Sequence, residues 1–103
     1  MGYEDGKVVT YHKNGKVCEE YTSVNGNVHG KYTKYYDNGQ VKMRYNCING
    51  VIDGKTESFY STGKPLAKGN RVNGERDGKI LYYYPDGELG EVKVYNMGKE
   101  IIW

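Results

Sequence analysis

His29-Gly30-Lys31-Tyr32-Thr33-Lys34-Tyr35-Tyr36-Asp37-Asn38-Gly39-Gln40-Val41 is one copy of a pattern that returns every 24 residues. Its two glycines belong to two columns: Gly6, Gly30, Gly54 and Gly78, then Gly15, Gly39, Gly63 and Gly87. A third column holds Gly2, Gly26, Gly50, Gly74 and Gly98. Together they take 13 of the 15 glycines and leave only Gly69 and Gly90 outside. A backbone requirement that recurs in register is the mark of a repeat array, in which each unit buries its apolar side against its neighbours.

The columns predict turns. One tight turn per unit ends in the second column, as Lys13-Asn14-Gly15, Asp37-Asn38-Gly39, Ser61-Thr62-Gly63 and Pro85-Asp86-Gly87. Asn-Gly and Asp-Gly are strong hairpin signals because both residues tolerate the positive φ of a twist-matched turn. A second turn is expected to run from the third column to the first, from Asn25-Gly26 to Gly30, Asn49-Gly50 to Gly54 and Asn73-Gly74 to Gly78. Between turns lie segments rich in Tyr, Val, Thr and Ile: 7–12, 16–24, 31–36, 40–48, 55–60, 64–72, 79–84 and 88–95. These read as eight strands. Pro65 and Gly69 predict a bulge or fraying in the sixth. No segment carries an apolar period of helical spacing. The expected fold is all-β: a single domain, 1–103, built as an antiparallel meander of about four hairpin repeats at 6–29, 30–53, 54–77 and 78–101.

Leu, Ile, Val and Phe make up only 19 of 103 residues, a composition that borders on disorder. Twelve tyrosines and a net charge of only +2 argue for a folded chain with a thin, ring-rich core. The charge is uneven. Residues 31–79 carry ten Lys or Arg against five acids, whereas 1–30 are net −1 and 80–103 net −2. A basic middle suits an acidic partner but falls short of a dedicated nucleic-acid binder. Cys18 and Cys47 sit at non-equivalent repeat positions and read as free thiols in a reducing compartment. With no leader-like start and no long apolar run, the expected location is the cytoplasm, without a transmembrane segment.

The pattern breaks at Ile101-Ile102-Trp103. Residues 99–103 are expected to cap the terminal edge, since an open row of amides invites further pairing. The alternative is that Trp103 anchors a partner.

The quoted stretch, closed by Asn49-Gly50-Val51-Ile52-Asp53-Gly54, resembles MORN repeats, and more closely the variant found in bacterial YwqK-type antitoxins. The resemblance covers nearly the whole chain. It implies an elongated, twisted single sheet, a role in protein scaffolding or membrane-lipid contact, and, from the antitoxin variant, a partner protein that is bound and neutralised. The chain departs from the pattern where Gly69 replaces the Tyr21 and Tyr45 column, and again around Gly90, Val92 and Val94.

Alternation along each first strand separates Tyr11, Tyr35, Phe59 and Tyr83 from His12, Tyr36, Tyr60 and Tyr84, the latter joined by Tyr32 and Tyr82. Phe59 shows that the first column needs no hydroxyl. The second accepts His and so is expected to be partly wet. Rigid tyrosines suit recognition, and stacking for stability alone is the other reading. The candidate binding residues are Tyr32, Lys34, Tyr36, Tyr60, Tyr82, Tyr84 and Trp103. Lys7, Lys31, Lys55 and Lys79 form a further column, either an anion-reading ladder or a solvated row.

Catalysis finds no support. His12 and His29 stand in no metal-ligand spacing, and no Gly-rich loop opens a helix. No catalytic residue, metal or cofactor is expected. The expected function is a non-enzymatic protein-binding module that sequesters or inhibits its partner, as an antitoxin or another inhibitor does. The alternatives are a peripheral module on anionic membrane, a scaffold, self-association through the sheet edges and, last, single-stranded nucleic-acid binding, which the small net charge disfavours.

Overall fold

The computed structural model describes residues 5–102. They form one open, twisted antiparallel sheet, about as thin as a single layer can be, with extents of 51 × 31 × 14 Å. The strands are β1 (Gly6–Tyr11), β2 (Val17–Val24), β3 (Asn27–Tyr35), β4 (Val41–Ile48), β5 (Val51–Phe59), β6 (Pro65–Val72), β7 (Glu75–Arg76), β8 (Gly78–Tyr83), β9 (Leu89–Asn96) and β10 (Lys99–Glu100). Each pairs with its neighbour in sequence, except that β7 and β8 both lie on β6. The all-β hairpin meander is therefore as the sequence predicts. The strand count is ten because Asp77 interrupts one long strand and a two-residue β10 is added.

The second turn is shorter than expected. Asn25 and Gly26 both have positive φ, 52° and 81°, and so do Asn49-Gly50, Asn73-Gly74 and Met97-Gly98. Positive φ at both central residues defines the type I′ hairpin turn, whose twist matches the strands. The chain leaves it at once and is extended again by Asn27. The first glycine column thus lies inside strands. Tyr21 pairs with Tyr32 and Ser23 with Val28, so Thr22 alone faces His29, Gly30 and Lys31. Gly30, at φ 88°, supplies the left-handed residue that this bulge needs. The bulge bends the hairpin end so that the next turn docks on it: Gly50 N donates to Val28 O at 2.8 Å, and Asn49 N to His29 Nδ1 at 3.3 Å.

The first turn differs in kind from the prediction. Only its glycine has positive φ; Asn14, Asn38, Thr62 and Asp86 do not. Gly15 N donates to His12 O at 3.0 Å and His12 N to Lys16 O at 2.8 Å, which is a three-residue loop closed by a left-handed glycine. A bulge follows in every repeat, leaving Cys18, Lys42, Leu66 and Gly90 as the extra residues. The bulge in β6 therefore belongs to the repeat and owes nothing to Pro65 or Gly69. At the far end, Ile101 N donates to Val94 O at 2.7 Å while Ile102 is 83% exposed. Trp103 lies outside the described residues.

Candidate functional site

A sheet with no second layer has two faces, and the register says which side chains share each. One face carries a row that runs across the strands as Val8, Tyr21, Tyr32, Tyr45, Thr56, Gly69, Ile80 and Lys93. The next row on that face runs Thr10, Glu19, Lys34, Met43, Ser58, Ala67, Tyr82 and Glu91. Rings stack along the first row. Tyr21 and Tyr32 lie 5.6 Å apart at 30°, Tyr32 and Tyr45 4.8 Å apart at 17°. Tyr32 is 8% exposed and donates to Glu19, which also accepts from Thr10 Oγ1 at 3.1 Å. Burial and then the Glu19 carboxylate push the Tyr32 phenol far above its ordinary range.

The stack stops at Tyr45. Where the second repeat has Tyr32, Lys34, Met43 and Tyr45, the third has Thr56, Ser58, Ala67 and Gly69. Four large side chains become four small ones on adjacent strands. The result is a groove of ≈ 320 Å³ lined by those small residues together with Tyr45, Ile80, Arg71, Lys68 and Glu57. Ile80 leans over the glycine: a Cβ at Gly69 would stand 3.1 Å from Ile80 Cγ1. Arg71 is positioned by a 2.9 Å bond from Nη1 to Gly74 O.

The opposite face is charged. Lys7, Lys31, Lys55 and Lys79 pair with Thr22, Asn46, Asn70 and Val94 there and are all exposed. Arg44 and Lys68 share the face with Glu20 and Glu57. Arg44 Nε reaches Glu57 Oε1 at 2.8 Å, which holds that carboxyl below its usual range. Successive column lysines stand roughly 10 Å apart, two strand spacings.

The candidate residues read from sequence divide three ways. Tyr32, Lys34 and Tyr82 lie on the grooved face, with Lys34 between Glu19 and Met43 and Tyr82 opposite Ala67. Tyr36 and Tyr60 spend their hydroxyls on the following repeat, donating to Phe59 O at 2.6 Å and Tyr83 O at 2.7 Å. His12 makes the same contact, Nε2 to Tyr35 O at 2.9 Å; a carbonyl only accepts, so this nitrogen carries the proton. That shared donor tip explains why the column takes His as well as Tyr. Tyr84 is 58% exposed and lies against Gly90, where a Cβ would stand 3.1 Å from its ring. The groove floor was missed, although Thr56 in the Tyr32 column was a visible signal. Among the described residues, no three His, Cys, Asp or Glu side chains gather as a metal site. No helix among them is long and apolar enough to cross a membrane. Cys18 and Cys47 are free thiols.

Residues 4–25, 28–47 and 52–73 match the family model described as the MORN repeat variant. The match takes in more than half of the chain, so the chain belongs to that family, whose repeats serve in protein or membrane-lipid binding. No curated protein matches it.

Proposed function

We propose that this MORN-variant sheet is a non-enzymatic module that binds a partner protein through its grooved face and thereby sequesters or inhibits it, as an antitoxin does. The groove beside Tyr45 carries the reading. A face covered by the stacked rings of Tyr21, Tyr32 and Tyr45 over its earlier strands opens beyond Tyr45, in the basic stretch of the chain, on a sheet scaffold that loses little entropy on binding. The free thiols of Cys18 and Cys47 suit a reducing cytoplasm. Co-expression with the products of neighbouring genes should yield a complex that survives gel filtration and lowers the partner's activity. A chain that remains monomeric and captures no neighbour's product contradicts the reading.

A second reading rests on the other face. Lys7, Lys31, Lys55 and Lys79 with Arg44 and Lys68 form a basic surface fit for anionic lipid. Flotation with phosphatidylserine vesicles tests it. Binding abolished by Glu at Lys31, Lys55 and Lys79 supports it, and flotation no better than with neutral vesicles removes it.

A further inference from the structure

We propose that the groove between Tyr45 and Ile80 receives one aromatic side chain of the partner protein, from a segment whose flanking residues are acidic. The inference rests on the protein-binding reading and specifies what that surface recognises. Three observations carry it.

The first is the interrupted stack. Tyr21, Tyr32 and Tyr45 are consecutive members of one row, and the next two positions, Thr56 and Gly69, have no ring to offer. Tyr32 stacks on the Tyr45 ring, and Tyr45 lines the groove. A planar ring placed over Thr56, between Tyr45 and the Ile80 side chain that covers Gly69, continues the stack as its fourth member, with the geometry that aromatic pairs prefer. The second is size. At ≈ 320 Å³ the groove stands at the bottom of the range for small-molecule sites and is too small for a helix. One side chain fits that space.

The third is charge. Arg71 and Lys68 line the groove, Lys34 precedes Met43 in the next row, and Lys93 pairs with Ile80. Of the acids, Glu57 lines the groove but is held by Arg44 and pairs with Lys68, Glu19 is held by Tyr32 and Thr10, and Glu91 pairs with Tyr82. An incoming ring is therefore bordered mainly by cations, which favours Asp or Glu beside it. The small floor residues also let a partner backbone approach the sheet closely.

Fluorescence anisotropy with the full chain tests this, using a short labelled peptide that has one Trp between Asp and Glu residues. Saturable binding is expected, weakened about tenfold or more when Trp becomes Ala, as for an anchor residue, and similarly when the acids become Lys. Thr56→Tyr refills the groove with the residue of the second repeat and should abolish binding; Ala67→Met, again the residue of the second repeat, is a second filler should the first fail to fold. Amide shifts should centre on Tyr45, Thr56, Gly69 and Ile80. Absence of saturable binding, equal binding by the Ala peptide or by the folded filler variants, or shifts centred on Lys31, Lys55 and Lys79 overturns the proposal. So does a dimer that dissociates on Thr56→Tyr, since the occupant is then a second copy of this chain. A partner protein still captured by folded Thr56→Tyr sinks the groove and leaves the binding module standing.

Discussion

The hydroxyl of Tyr36 donates to the carbonyl of Phe59, 2.6 Å away and one repeat further along the chain. Tyr60 repeats the bond to Tyr83 at 2.7 Å, and His12 supplies it to Tyr35 at 2.9 Å. Beside these, Asn14 Nδ2 donates to Asp37 O at 2.7 Å and Asn38 Nδ2 to Ser61 O at 2.8 Å. Adjacent repeats are thus joined at their turns as well as along their strands. Nearest-neighbour bonds of this kind are what gives a one-dimensional array its cooperativity.

Removing one such hydroxyl should loosen one junction. Tyr36→Phe and Tyr60→Phe are each expected to cost about 1 kcal/mol, the net worth of a partly buried hydrogen bond. Tyr84→Phe, which loses no such bond among the described residues, should stay within about 0.5 kcal/mol. Urea unfolding of the three variants checks the order.

Met97 has φ 50° in the turn position where Asn25, Asn49 and Asn73 stand in the other repeats. A long side chain in the left-handed region is strained, and Asn tolerates it best after Gly. Met97→Asn should stabilise the chain by roughly 0.5–1 kcal/mol. That corresponds to a rise of a few degrees, about 2–6 °C, in a thermal melt.

His29 accepts from Asn49 N at 3.3 Å through Nδ1, whereas Asp5, Asp53 and Asp77 accept the equivalent amides through carboxylates. A charged acceptor makes the stronger bond. His29→Asp should therefore raise the urea midpoint, by about 0.5–1 kcal/mol in free energy.

Alkaline titration should unfold the sheet through its phenols. Burial, then Glu19, raises Tyr32; the hydrogen bond to Glu20, then burial, raises Tyr35; burial raises Tyr45. Each neutral phenol is favoured in the folded state, so their contribution is complete below the ordinary value of 10.0 and is lost as pH rises above it. The urea midpoint should hold from about pH 8 to 9 and fall between about pH 10 and 12. Tyr35→Phe should flatten that fall.

Much of this fold is legible in the glycine columns, because a left-handed residue that recurs every 24 positions has few other causes. Asn25-Gly26 and Lys13-Asn14-Gly15 both read as turns, and both are. Their types were not legible from Asn-Gly alone: the same dipeptide takes positive φ at both residues in one turn and at only the glycine in the other, according to loop length. Gly30 was read as the end of a turn because a glycine near a turn looks the same as a glycine in a bulge. The groove escaped for a different reason. A search for repeats weighs what recurs, whereas Thr56, Ser58, Ala67 and Gly69 matter through the bulk they lack. Their meeting on one face depends on counting residues through bulges at Leu66 and elsewhere, which only the register supplies.

The most direct test of the central claim is the affinity of the partner obtained by co-expression for two variants. One fills the groove, Thr56→Tyr; the other reverses the opposite face, Lys31→Glu with Lys55→Glu and Lys79→Glu. Filling the groove should weaken binding about tenfold or more, the loss expected of a central anchor, while the charge reversal should change it by less than about threefold. Binding kept by the filled groove and lost on charge reversal would contradict it.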